Sequence, residues 1–245
     1  MDVTHTGLLA VLIFAAALLY STVGHGGASG YIAAMALLGV APAAMRPTAL
    51  TLNLAVALIG AIKFARAGWF SWPLFWPFAL TSIPAAYLGG RITLPSPVYK
   101  VVVGVVLLYA AVRLFLTAGR TAPAAGRPPL WAALLVGAVI GLLSGLTGVG
   151  GGIFLSPVLL IMGWAETRTA SGVSALFILV NSAAGLAGNP ASLAHVSSAL
   201  AILMPAAVIG GWLGAEYGSR RLAPPVLRKW LAAVLVVAGA KLIAT

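Results

Sequence analysis

Two stretches of this chain, 7–41 and 130–164, each run for about 35 residues without a Lys, Arg, Asp or Glu. No other feature constrains the fold so tightly. A bilayer's hydrocarbon core is about 30 Å thick and a helix rises about 1.5 Å per residue, so roughly 20 apolar residues cross it once. Each stretch is too long for one crossing and short for two. Each also carries glycines in its middle, in STVGHGGA at 21–28 and GLTGVGGG at 145–152. Glycine is among the worst helix formers, second only to proline.

Six further apolar runs fall at about 47–66, 69–91, 97–118, 169–190, 193–218 and 225–244. Hydrophobic residues make up 62% of the chain and charged residues 7%. A soluble domain of 245 residues could not cover its surface with so few charges. Lipid is therefore the solvent, and helices are the open-chain structures that satisfy their own backbone there. Lys and Arg number 14 against 3 acidic residues, a net charge of +11. In a soluble protein that excess would suggest nucleic acid. Here the basic residues flank apolar runs and read as topology signals, so no nucleic-acid partner is expected. A field that favours anions is a second consequence.

Catalytic chemistry finds little support. There is no cysteine, which removes disulfides, thiolate metal sites and Cys nucleophiles. His5, His25 and His195 lack metal-ligand spacing. Asp2, Glu166 and Glu216 are too scattered to suggest a carboxylate pair, and Glu216 is expected to pair with Arg220 four residues on. The expectation is a non-enzyme without cofactor or metal. The opening MDVTHTGLL lacks the basic start of a signal peptide, so the first apolar run reads as mature structure.

The chain repeats itself. STVGHGGA at 21–28 matches GLTGVGGG at 145–152, YLGG at 87–90 matches WLGA at 212–215, and PVYK at 97–100 matches PVLR at 225–228. Arg113-Leu114 falls on Lys241-Leu242. The offsets are 124, 125, 128 and 128, in order, which is how an old duplication looks. The Pro-, Gly- and Arg-rich segment at 117–129 lies between the halves. The organisation expected is a first transmembrane repeat at 1–118, a cytoplasmic linker at 119–129 and a second repeat at 130–245. Such duplications mark secondary transporter folds.

Charge decides how the repeats are oriented. If each long stretch crosses once, the repeats are parallel and the basic residues divide 8 against 6. If each is broken at its glycines and turns back, the repeats are inverted. Lys63, Arg66, Arg113, Arg120, Arg127, Arg168, Arg220, Arg221, Arg228 and Lys229 then share one side, against Arg46, Arg91, Lys100 and Lys241 on the other. That division of 10 to 4 satisfies the positive-inside rule. It places the linker in the cytoplasm and both termini in the periplasm of a multi-pass inner-membrane protein. The fold expected is all-α and polytopic, with two inverted-topology repeats. Each has a Gly-broken first element, hairpin or discontinuous, followed by three transmembrane helices.

GLTGVGGG admits three readings. A nucleotide loop would need a preceding strand, and WAALLVGAVIGLLS is an apolar helix instead. Close packing suits Gly137, Gly141 and Gly145, spaced by four, and likewise Gly210, Gly214 and Gly218. It does not account for glycine at 148 and 150–152. A broken helix does: a half-helix beginning after Gly151 would aim its free N–H groups and positive dipole end into the membrane interior, a ready anion site. The first repeat offers a partner at Gly24, Gly26 and Gly27. Candidate substrate ligands are therefore Thr22, Gly24, His25, Gly26, Gly27 and Ser29 in one repeat. Thr147, Gly148, Gly150, Gly151 and Gly152 supply the other, with Thr51 and Ser174 from the following helices. His25 can donate to an anion, carry a coupling proton, or bond a freed carbonyl. The hydroxyls can face an anion or bond their own helix backbone.

The pattern GxxGxGGGxxxxP, present as GLTGVGGGIFLSP, is followed by RTASGVS at 168–174 and recurs in weaker form in the first half. There Ala28 replaces the third glycine of the run and Ala33 stands where Pro157 falls in the second copy. Over essentially its whole length the chain resembles the sulfite exporter TauE/SafE family of bacterial membrane permeases. That resemblance implies transport of small sulfur-containing or carboxylated anions such as sulfite, sulfonates and sulfoacetate. The expected partners are the anion, the bilayer and a coupling proton or other ion, and a homodimer is compatible with the reading. An anion channel on the same scaffold is the alternative.

Overall fold

The computed structural model describes residues 3–117, 126–221 and 225–244. Arg120, Asp2 and most of the central linker lie outside them. Among the described residues are ten α-helices, one 3-10 helix and no strand. The first half holds α1 (Val3–Ser21), α2 (Ala28–Leu37), α3 (Pro42–Arg66), α4 (Trp72–Arg91) and α5 (Ser96–Thr117). The second holds α6 (Leu130–Thr147), α7 (Gly152–Ile161), α8 (Thr167–Gly188), α9 (Leu200–Arg220) and α10 (Pro225–Ala244). Six of these, α1, α3, α5, α6, α8 and α9, are long and apolar enough to cross a membrane. The protein is an all-α polytopic membrane protein.

Each 35-residue stretch resolves into a long helix, a break and a half-helix. The 19 residues of α1 extend about 28 Å and the 10 of α2 about 15 Å. The second half repeats this with α6 and α7. Backbone conformation explains both breaks. Gly24 and Gly27 in the first, and Gly148, Gly150 and Gly151 in the second, have φ between +71° and +99°. A side chain with a Cβ is strained there.

The glycine stripes fix which helices run together. Along α6, Gly137, Gly141 and Gly145 face the backbone of Phe78, Ser82 and Ala86 on α4, so the two helices are parallel. Along α9, Gly210, Gly214 and Gly218 face Phe14, Leu18 and Thr22 at the α1 end of the chain, again in parallel register. Each stripe lets backbone touch backbone, the close approach that replaces hydrophobic driving force in lipid. Helices α3 and α8 cross antiparallel, with Asn53 at Ser182 and Gly60 at Ala175. Val56 and Lys63 of α3 meet Gly211 and Glu216 of α9, so those helices are parallel.

These registers fit together. Helices α1, α3 and α9 point one way and α4, α6 and α8 the other. Because α1 and α3 are parallel, the intervening α2 runs back, and each break is a hairpin. Counterparts in the two halves pack in exchanged pairs: α1 on α9 as α6 on α4, and α3 on α9 as α8 on α4. Helix α5 crosses α10 antiparallel, with Gly104 against Gly239 and Ile243. The most enclosed span is α8, which with α3 forms the centre.

Two expectations shift. The apolar run at 193–218 is not one helix: residues Pro190–His195 form a 3-10 turn and α9 starts at Leu200. Pro190, which cannot continue α8, opens that turn. Glu216 does bind Arg220, at 2.5 Å, but it also bonds Lys63 of α3, whose Nζ sits 4.3 Å from the centre of the Trp212 ring.

Candidate functional site

The two breaks come together. Asn53 is the twelfth residue of α3 and Ile178 the twelfth of α8, so both lie near mid-depth. A Cβ on Gly26 would stand 2.6 Å from Asn53 Oδ1 and 3.1 Å from Ile178 Cγ2. One on Gly150 would stand 2.6 Å from Asn53 Nδ2 and 2.8 Å from Ile178 Cγ2. The matched glycines of the two halves thus flank the same two side chains. The Asn53 amide presents its oxygen to one and its nitrogen to the other, and its Nδ2 donates to Ser182 Oγ at 3.4 Å. Any side chain larger than hydrogen at either position would collide with it.

Both half-helices begin at this junction, α2 after Gly27 and α7 after Gly151, and no side chain caps either N-terminus. The positive dipole ends therefore lie at mid-depth without an internal carboxylate to neutralise them. The loop before α2 is braced by Tyr31, whose hydroxyl donates to the Gly26 carbonyl at 2.6 Å. On the α7 side, Tyr99 of α5 donates to the Thr147 carbonyl at 3.1 Å.

A hydrogen-bonded chain ties the halves together. His25 Nε2 lies 2.9 Å from Ser156 Oγ on α7, which lies 2.7 Å from Ser174 Oγ on α8. All three side chains are buried. Among the sequence candidates, His25 and Ser174 are therefore in one network, with Ser156 as the link. The threonines behave differently. Thr51 and Thr147 donate to the carbonyls of Pro47 and Leu143 in their own helices, and Thr22, in the turn after α1, donates to that of Leu19. Their protons are committed, leaving the oxygens as acceptors. Ser29 is buried in the first turn of α2.

Two cavities approach the junction from opposite sides. One, of about 40 Å³, is lined by Val23, His25, Arg113, Ser156, Thr167 and Ser171 and lies at the linker side, where α5 ends and α8 begins. The other, of about 320 Å³, is lined by Arg46, Thr93, Ser96, Tyr99, Asn189 and His195 at the opposite side, where α3 begins and α4 ends. Each has one arginine. Arg46, at the start of an apolar run, reads from sequence as a boundary marker. It is buried there, and its guanidinium donates to the carbonyls of Gly90 and, at 2.9 Å, Ile92 at the end of α4. Arg168, at the start of α8, is set over the Trp69 ring at 4.9 Å.

Asn53 is not among the candidate ligands read from the sequence. Its one signal is an amide in the middle of an apolar helix.

Spanning helices interrupted at mid-depth, two half-helices starting from one point and a cavity on either side define a multi-pass helical membrane protein with a broken-helix centre. The chain belongs to the sulfite exporter TauE/SafE family, whose sequence profile matches residues 9–242. It is 44% identical to a protein of Sinorhizobium fredii called probable membrane transporter protein y4hK, over 99% of this chain and the whole of that one. No solved structure matches it.

Proposed function

We propose that the protein is a secondary transporter for a small oxyanion, such as sulfite, a sulfonate or sulfoacetate, held between the N-termini of α2 and α7. The observation that carries the reading is the shared junction: Gly26 and Gly150 flank the same Asn53 and Ile178, and two uncapped helix N-termini start there. Two converging dipole ends stabilise an anion without burying an arginine in the site, which would be expensive in lipid. Arg46 and Arg113 stand in the two approach cavities and favour anions on the way in. Membership of the family and the name given to the Sinorhizobium relative support transport.

The opposed directions of matched helices support two inverted repeats, 1–118 and 130–245, rocking about the α3–α8 crossing to expose the site alternately. The helix ends support the topology too. Lys63, Arg66, Arg113, Arg168, Arg220 and Arg221 lie at the side where the linker begins, against Arg46, Arg91, Lys100 and Lys241 at the other. By the positive-inside rule the linker faces the cytoplasm and both termini the periplasm.

The test is flux in proteoliposomes with sulfite, sulfoacetate, taurine, thiosulfate and simple carboxylates. A transporter gives saturable uptake that trapped unlabelled anion accelerates. Unsaturable flux without counterflow would make the protein a channel, and no flux of any anion would overturn the reading.

A further inference from the structure

The two halves match closely at the breaks, yet the imidazole of His25 has no counterpart. At the repeat offset of 124, His25 falls on Val149. The junction therefore carries one imidazole. His25 is buried, touches the linker-side cavity and belongs to the chain His25–Ser156–Ser174 that joins the first break to α7 and α8. Histidine is the one side chain whose ordinary titration falls between about pH 5 and 8.

We propose that His25 is the proton-carrying residue of the anion site, taking up one proton with each anion and setting the direction of the hydroxyl chain that meets it. The inference rests on the transporter reading above. The geometry supplies the coupling. When neutral with Nε2 unprotonated, the imidazole accepts from Ser156, which then accepts from Ser174, and all the donors point towards the ring. A protonated imidazole has a hydrogen on both nitrogens and can only donate. Ser156 then accepts from Nε2–H and its own proton is released to donate to Ser174, which leaves the Ser174 hydroxyl with a proton to offer elsewhere. The Ser174 carbonyl faces Gly152, the first residue of α7. An anion at that N-terminus gains a hydroxyl donor and a positive charge in the same step. One proton enters from water through a cavity and binds the imidazole nitrogen, and it leaves when the anion does. No other bond changes.

The surroundings of His25 suit this role. From α1 it meets Tyr20, with ring centres 6.3 Å apart, and from α2 comes Tyr31, bonded to the Gly26 carbonyl. From α5 comes Arg113, and from α7 and α8 come only the hydroxyls of Ser156, Thr167, Ser171 and Ser174. Of the described acidic residues, Glu166 is exposed and Glu216 is bonded to Lys63 and Arg220, and neither lines the cavity. Among the described residues, no carboxylate lines the cavity beside His25.

The experiment uses the purified full chain with thiosulfate and sulfoacetate, whose own charges stay fixed while imidazole titrates. Binding by wild type should weaken by about tenfold per pH unit above the titration of His25, since one proton is required. Uptake into liposomes holding a pH dye should acidify the interior. His25→Gln keeps a donor towards Ser156 but cannot gain a proton. It should bind weakly at every pH, with a flat profile and no acidification. Ser174→Ala, which keeps the imidazole and deletes the last donor, should shrink the gain in affinity at low pH, since only the charge of His25 then reaches the anion, and it serves if His25→Gln fails to fold. Wild-type uptake without acidification, or a pH slope undiminished in both variants, would overturn the assignment while leaving anion transport standing. No binding or uptake of either probe by wild type would overturn the transport reading and this one with it.

Discussion

Alanine at Gly141 and alanine at Gly60 should move stability in opposite directions. Both glycines lie inside long apolar helices, and by intrinsic propensity alanine is favoured over glycine there by about 1 kcal/mol. Their neighbours differ. A Cβ at Gly60 of α3 would stand 3.5 Å from the Ala175 methyl of α8, an ordinary contact. A Cβ at Gly141 of α6 would stand 2.6 Å from Ser82 Cα on α4 and closer still to its carbonyl oxygen. Moving from 2.6 Å to the 3.4 Å of ordinary contact requires at least 0.8 Å of separation, and the obstacle is backbone that cannot rotate away. Overpacking of this kind costs about 1–3 kcal/mol. Thermal unfolding in detergent, followed by size-exclusion of the surviving fold, reads both. Gly60→Ala should hold or raise the midpoint. Gly141→Ala should lower it, and Gly214→Ala on α9 should behave like Gly141→Ala because its Cβ would enter the backbone of α1. Equal behaviour at positions 60 and 141 would refute the parallel α4–α6 register on which the fold description depends.

Other outcomes follow from single contacts. Arg46→Met removes the guanidinium that binds the Gly90 and Ile92 carbonyls and should lower stability by about 1.5–3 kcal/mol, whereas loss of a boundary charge would change little. Glu216→Gln should loosen the α3–α9 contact by leaving Lys63 without its carboxylate, seen as a lower unfolding midpoint that added salt narrows relative to wild type. Since the chain has no cysteine, single cysteines report topology without background: Gly126→Cys should label only from the cytoplasm and Thr4→Cys only from the periplasm. The reverse pattern would invert the assigned orientation.

A break in each long stretch was legible in the sequence, and two independent signals favoured a turn back over a discontinuous crossing without deciding between them. One was a 35-residue length that fits neither one crossing nor two, and the other a Lys and Arg distribution that becomes asymmetric only when the stretches fold back. The stripes at 137–145 and 210–218 were legible because spacing by four survives in any helix. What the stripes pack against was not legible, since exchange of partners between halves is a tertiary fact. The partners of Arg46 were not legible for a related reason. An arginine beside an apolar run looks like a boundary, and nothing local reveals that the end of α4 will bring two carbonyls to it. The link from His25 through Ser156 to Ser174 joins positions 131 and 18 residues apart, beyond any local pattern. The start of α9 was misplaced because an apolar count cannot tell a 3-10 turn from the helix that follows it.

That the two breaks build one anion site between them is tested most directly by the number of anions bound. Equilibrium binding of radiolabelled thiosulfate and sulfoacetate should be measured on wild type, Gly26→Leu and Gly150→Leu, each confirmed as inserted and monodisperse. The prediction is one anion per chain in the wild type and none in either variant, since each leucine fills the shared space at Asn53. Half the binding left in each variant would mean two separate sites, and full binding in both would mean that the anion is held elsewhere.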